Sequence, residues 1–329
     1  MRSAVLSAAA ETFTSLKGEW NILLEKSKAR HIFVTWDWQD IWWRTFGDGL
    51  ELHLIAIREG QDLVGIAPLV KQGRTVQFCG GADVSDYLDF VAVAGREAEV
   101  LSTVLTYLDD LGPFELDLHS LRHDSPTLVH LPEIARNRGK KPMLQEEETC
   151  PYVDLPGDWE TYVASLSKKD RHELRRKIRR LEASAAFSWY VAPSVFDPSA
   201  YAETFLRLCR LSREEKALFL GDERMQLFFR SIVGQFQPSG VLRMYFMEIN
   251  GERVSTALCF DQGEELWLYN SGFDPSYAHL SVGLLLKSYC VRDAIEAGKG
   301  RFDFLRGREP YKYDLGGVDK PIYRLQITS

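Results

Sequence analysis

Two stretches far apart in the chain, IREGQDLVGIAPLV (57–70) and EINGERVSTALCFD (248–261), are built alike. Each reads as a strand, a turn on Glu-Gly or Asn-Gly, a charged residue and a second strand. Each is followed by another strand, a helix closed by a glycine (Gly112, Gly298) and a short aromatic strand (FELDLHSL, RFDFL). Self-similarity at about half the chain length points to a duplicated α/β unit. The alternative is one mixed sheet with helices that happen to alternate. The duplication predicts two α/β (α+β) mixed-sheet domains, 1–150 and 151–329, meeting in EEETCPYVDLPGDW, where a strand runs into a Pro-Gly turn. Residues 11–47 read as helical, DYLDFVAVAG as a strand, and the stretches around 201–219 and 222–236 as helices.

A length of 329 residues suits two domains, and 45% hydrophobic residues suffice for sizeable cores. The net charge of −7 argues against a surface coated for nucleic acid. Five scattered cysteines, with no CxxC pair and no histidine at metal spacing, read as reduced core thiols, and no metal is expected. The apolar start is too short for a signal peptide, and no run approaches the roughly 20 apolar residues of a membrane span. The expectation is a soluble, cytoplasmic protein.

Three stretches can carry chemistry. SLSKKDRHELRRKIRRLE places Leu166, Leu174, Ile178 and Leu181 at helical spacing among eight Lys and Arg residues. Two readings fit it equally: a solvated helix face, or a surface for phosphates. In LYNSGFDPSYAHLSVGLLLKSY a strand and a loop lead into a helix starting near Ser281. Backbone amides at a helix start are unpaired and favour a pyrophosphate, and Gly283 permits close approach, though Ser281 also reads as a plain N-cap. RFDFLRGREPYKYDLGG (301–317) crowds charges and tyrosines behind a strand. There Tyr311 is a candidate acid and Asp303 or Glu309 a candidate base; the other reading makes the tyrosines packing residues.

The order of basic helix, three-strand meander, loop-helix YAHLSVGLLLKSYCVRDAIEAG, strand FDFLRG and EPYKYDLG resembles the GNAT acyltransferase superfamily. It is most similar to the CelD-like branch, related to the tandem-domain FemAB-like proteins. The resemblance covers about residues 158–317, while the first half matches in element order only, as a degenerate copy would. It implies an acyl-coenzyme A co-substrate between two splayed strands, and direct attack by an amine acceptor. Tyr311 would be the acid. The backbone near Asn270 and Ser271 would receive the carbonyl oxygen, and Arg306 and Lys312 would meet phosphate or acceptor. The family's pyrophosphate loop reads Gln/Arg-x-x-Gly-x-Gly/Ala. With His279 in first place, Leu280, Ser281, Val282 and Gly283 follow, so Val282 and Leu284 stand where glycines are usual. Two alternatives accompany this reading: a FemAB-like transferase drawing on aminoacyl-tRNA, and a non-catalytic relative in exopolysaccharide production.

Overall fold

The computed structural model describes residues 6–184, 186–193 and 197–328. Contacts divide the chain into a unit of residues 1–148 plus 321–329 and a second unit of 149–320.

The first unit runs β1 (Leu6–Ala10), α1 (Phe13–Leu16), α2 (Trp20–Leu24), a 3-10 turn at Ile32–Val34, and α3 (Trp36–Phe46). It continues through β2 (Glu51–Glu59), β3 (Asp62–Gln72), β4 (Thr75–Phe78), β5 (Val91–Ala92), α4 (Glu97–Asp110), β6 (Glu115–Arg122), α5 (Pro126–Asn137) and β7 (Lys141–Thr149). The second unit contains β8 (Tyr152–Asp154), α6 (Trp159–Ser165), α7 (Lys168–Ser184), β9 (Phe187–Val191), α8 (Pro198–Ser212), α9 (Glu214–Phe219) and α10 (Glu223–Phe236). After these come β10 (Leu242–Ile249), β11 (Glu252–Gln262), β12 (Glu265–Phe273), a 3-10 turn at Pro275–Leu280, α11 (Val282–Glu296), β13 (Arg301–Asp303) and α12 (Pro310–Asp314). The last strand is β14 (Pro321–Thr328).

The repeat expected from the two hairpins is present. In the first unit β2, β3 and β4 form an antiparallel meander, and α4 then crosses over to β6, parallel to β4. In the second, β10, β11 and β12 do the same, and α11 crosses to β13, parallel to β12. The sheet orders are β1-β2-β3-β4-β6-β14-β7, with β5 against β3, and β8-β13-β12-β11-β10-β9. Both units are thus mixed-sheet α/β structures in tandem.

The C-terminal strand departs from the expected boundary. β14 pairs antiparallel with β6 in the first unit's sheet, where Arg324 binds Asp117 through two bonds of 2.7 Å, so 321–329 does not belong to the second unit. Two other expectations need adjustment. The helical run 11–47 is broken by the 3-10 turn, and DYLDFVAVAG supplies only the two-residue β5.

In the second unit, helices cover both sheet faces. α11 is apolar on nearly every side and is accordingly buried, from Val282 through Ile295, beside Tyr245, Ala257, Cys259 and Leu268. On the opposite face Phe229 and Phe236 from α10 meet Tyr269 and Phe260. Helix α8 lies against β12 so closely that a Cβ on Gly272 would stand 2.5 Å from the Cys209 backbone. Neither backbone can yield alone. Gly272→Ala is therefore expected to destabilise the chain by about 2–3 kcal/mol, at the top of the overpacking range, read from the urea midpoint. All five cysteines are buried and free.

Candidate active site

The parallel pair β12/β13 is short. It ends at Trp267 opposite Asp303, while β12 continues through a bulge at Tyr269 to Phe273. The chain beyond Asp303 turns away because the Asp303 carboxylate accepts the Leu305 N–H at 2.7 Å, and Leu305 adopts φ +55°, with Gly307 at φ +110°. Phe304 N–H and Gly307 N–H then bond to the carbonyls of Pro151 and Thr149.

Lys312 fixes this course. It is 1% exposed, and its ammonium donates to the carbonyls of Leu305 (2.8 Å), Arg306 (2.6 Å) and Gly307 (3.0 Å) while pairing with Glu309 at 3.0 Å. A charge buried this deeply is tolerated when paired and fully hydrogen-bonded. The charged run after the strand is therefore a loop cinched from inside.

A cavity of about 440 Å³ lies in the gap between the strands, at the start of α11. Among the described residues its walls carry Lys177, Arg213, Lys216, Lys287, Arg306 and Lys312 against one carboxylate, Glu309. In a chain of net charge −7 this is a strong local reversal, suited to an anionic ligand.

Ser281 precedes α11 in the left-handed region (φ +58°) and does not cap the helix; its hydroxyl accepts from Arg180 of α7 at 2.8 Å. The first-turn amides of α11 thus have no side-chain cap at the positive end of its dipole. Helix α7 divides in function. Arg176 pairs with Glu173 at the surface, whereas Lys177 reaches the cavity and Arg180 the α11 start.

Deeper in, Lys216 donates to Asn270 Oδ1 (2.7 Å) and to the Ser271 carbonyl (2.5 Å). Burial, with Arg213 and Lys312 adding to it, lowers its affinity for a proton. Lys287 donates to the Gly283 carbonyl at 3.1 Å, and its ammonium stands 4.3 Å from the centre of the Tyr311 ring. Burial, and then Lys216, push it down to about 7. Burial, and then the Glu309 charge, push the Tyr311 hydroxyl up, so it stays protonated at ordinary pH. Burial raises Glu309, but Lys312 overrides it and holds the carboxyl below its usual value.

The residues expected from the sequence separate cleanly. Tyr311, Asn270, Glu309, Ser281, Gly283 and Arg306 line the cavity. Asp303 does not; it is buried and holds the Leu305 amide, so it is corrected from a base to a loop former. Leu280 and Val282 bury their side chains in the core, and His279 is exposed with Nδ1 against the Ser276 carbonyl, so none of these three side chains lines the cavity, and only the backbone of Val282 stays at the helix start. Lys312 reaches the wall, but with its donors engaged it positions the loop rather than a phosphate. The Ser271 N–H, expected to meet the carbonyl oxygen, is taken by Asn270 Oδ1 at 2.8 Å. Gly283 has its own packing reason, since a Cβ there would lie 2.8 Å from the Phe273 ring.

Sequence reasoning missed Lys216, Lys287 and Arg213 as wall residues, whereas Lys177 belongs to the basic segment for which a phosphate surface was one of the two readings. Lys287 had a signal, a lone lysine in the apolar run VGLLLKSYCV. Lys216, in SREEKALF, had none. Among the described residues no group of three or more His, Cys, Asp or Glu is placed to hold a metal ion. No helix among them is long and apolar enough to cross a membrane.

A mixed sheet whose one parallel pair splays over a cation-lined cavity, at the start of the crossover helix, defines the GNAT class of fold. Residues 168–313 match the family described as an acetyltransferase (GNAT) domain. The second unit carries such a domain, in the tandem arrangement that the FemAB-like resemblance implied. Comparison with curated proteins finds no match. Among solved structures, FemX is similar over 97% of this chain and 96% of its own, with a TM-score of 0.67 at 11% identity. The C-terminal domain of a putative lysylphosphatidylglycerol synthetase from Agrobacterium fabrum covers 97% and 93%, at 0.60 and 11%. A tandem GNAT protein from the clavulanic acid biosynthesis pathway covers 98% of both chains, at 0.51 and 13%. At such identities the likeness is one of fold.

Proposed function

We propose that the protein is an N-acyltransferase that takes an acyl group from acyl-coenzyme A and passes it to an amine by direct attack, acting in the cytoplasm. The observation that carries this reading is the cavity between the splayed strands, with a cationic wall and an uncapped helix start. A donor with a phosphate-rich end and a neutral acyl end suits both features. Phosphates belong at Ser281–Gly283 with Lys177 and Arg180 nearby, and the thioester belongs deeper, by Asn270 and Tyr311.

Holding amine and thioester together supplies much of the rate. As the amine attacks, charge gathers on the carbonyl oxygen. Lys216, held by Asn270 and the Ser271 carbonyl, takes the role expected of the Ser271 amide. The departing sulfur takes the Tyr311 proton. Arg306 on the cavity wall contacts phosphate or acceptor.

The first unit is read as a degenerate, non-binding copy. At its corresponding helix the Glu97 carboxylate accepts the Gly95 N–H at 2.8 Å and pairs with Lys28, and a Cβ on Gly65 would stand 2.5 Å from Val100. A carboxylate of the chain itself thus stands beside the start of α4, bonded to the amide just before its N-cap, Arg96.

A second donor, aminoacyl-tRNA, is favoured by the exposed cations of α7 (Lys168, Lys169, Arg175, Arg179) leading toward Lys177. The two donors are separated by incubating the protein with a panel of primary amines and acetyl-coenzyme A, following free thiol, and in parallel with charged tRNA, following loss of the aminoacyl ester. Thiol release that depends on amine is expected. Transfer from tRNA alone would replace the coenzyme A reading.

A further inference from the structure

We propose that Lys287 is the group that takes the proton from the incoming acceptor amine. This deepens the acyl-transfer reading above and rests on it.

The residue is out of place as a structural element. It is 8% exposed, in the middle of a helix otherwise apolar through the core, and it opens on the cavity. Its hydrogen-bond partner is one neutral atom, the Gly283 carbonyl, and the Tyr311 ring face lies beneath it. The charged and titratable groups around it come from several elements. Arg213 and Lys216 at the start and in the body of α9, Lys177 of α7 and Arg306 beside α12 are all cations. Glu309, before α12, is already paired with Lys312, and Tyr311 keeps its proton. Cys290 lies in the next turn of its own helix, buried and protonated, and Cys209 of α8 is likewise raised by burial. An ammonium that is buried, with Lys216 and Arg213 adding their charge and no carboxylate paired to it, is held close to losing its proton.

Acyl transfer needs such a group. An amine acceptor arrives as an ammonium at neutral pH and has no lone pair until a proton leaves. Asp303 is committed to the Leu305 amide outside the cavity, and Glu309 is held too acidic to accept protons efficiently. Proton acceptors work best when matched to the working pH.

The Nζ lone pair takes one proton from R–NH3⁺, leaving R–NH2 and the Lys287 ammonium. The amine nitrogen forms a C–N bond to the thioester carbon. The C–S bond breaks, and its electron pair stays on sulfur, which takes the phenolic proton of Tyr311. The second proton on the attacking nitrogen restores Tyr311, and Lys287 returns its proton to solvent.

Three measurements test this. The ε-methylene signals of 13C-lysine-labelled protein should include one that titrates near pH 7 and is absent from Lys287→Met; titration of that signal above about pH 9 would overturn the proposal. The kcat/KM of the native protein should rise with pH through that midpoint. Lys287→Met and Lys287→Arg should both lose about 10²–10³-fold at pH 7.5 and lose that limb, since a guanidinium cannot accept a proton. Retention of the limb in either variant, or of native turnover in Lys287→Arg, would overturn the base role. Calorimetric titration with acetyl-coenzyme A separates the two levels. Binding and turnover with an unchanged profile in the variants would remove Lys287 alone, whereas native protein that neither binds nor turns over acetyl-coenzyme A would remove the underlying reading together with it.

Discussion

Tyr311→Phe is expected to lower turnover with acetyl-coenzyme A and an accepted amine by about 10²–10⁴-fold, while the donor's dissociation constant changes little. The Tyr311 ring packs edge-on against Phe304 and under the Lys287 ammonium, and both arrangements survive loss of the hydroxyl. In the proposed mechanism the variant lacks the proton for the leaving sulfur. Because burial and the neighbouring Glu309 raise the hydroxyl well above its ordinary value, it remains protonated throughout a normal assay range. The deficit should therefore be constant from about pH 6 to pH 9, unlike the pH-dependent loss expected for Lys287. Unchanged turnover across that range would remove Tyr311 from the acid role.

Lys312→Met is expected to show the largest loss of stability, about 3–5 kcal/mol in a urea titration. The variant leaves the carbonyls of Leu305, Arg306 and Gly307 and the Glu309 carboxylate without the ammonium that joins them, in a loop whose backbone includes a left-handed leucine. A partly buried carboxylate deprived of its partner adds to the cost. The comparison is Arg176→Ala, which breaks an exposed pair with Glu173 and should change stability by less than about 1 kcal/mol. Equal effects from the two variants would show that the loop is held by something other than Lys312. The loop also shapes the cavity, since the turn after Asp303 separates β13 from β12. A folded Lys312→Met protein should bind donor more weakly for that reason.

Much of this architecture was legible in the residues. Asn250-Gly251 and Glu59-Gly60 marked the hairpins, and Gly112 and Gly298 marked the ends of the crossover helices, because local turn chemistry fixes these features. The position of β14 was not legible. PIYRLQIT pairs with a strand about 200 residues earlier, and nothing local in either segment records that pairing. The site was half legible for a similar reason. The residue types in RFDFLRGREPYKYDLGG signalled an unusual loop, but whether Lys312 or Arg306 turned toward a ligand depended on where the loop carbonyls lay. Asp303 looked like a free carboxylate because the left-handed turn at Leu305 has no sequence mark. Lys287 was the clearest missed signal, since a lysine inside LLLKSYC costs too much free energy to be placed there without a partner or a task.

In the proposed function the gap beyond Trp267 and Asp303 receives an acyl donor through its phosphates. Calorimetric titration of the native protein with acetyl-coenzyme A tests it most directly, repeated with Lys177→Glu and at two salt concentrations. One site per chain is expected, with weaker binding at the higher salt and a loss of about tenfold or more in Lys177→Glu. Absence of heat and of any thermal stabilisation at millimolar acetyl-coenzyme A, or binding indifferent to Lys177 and to salt, would contradict it.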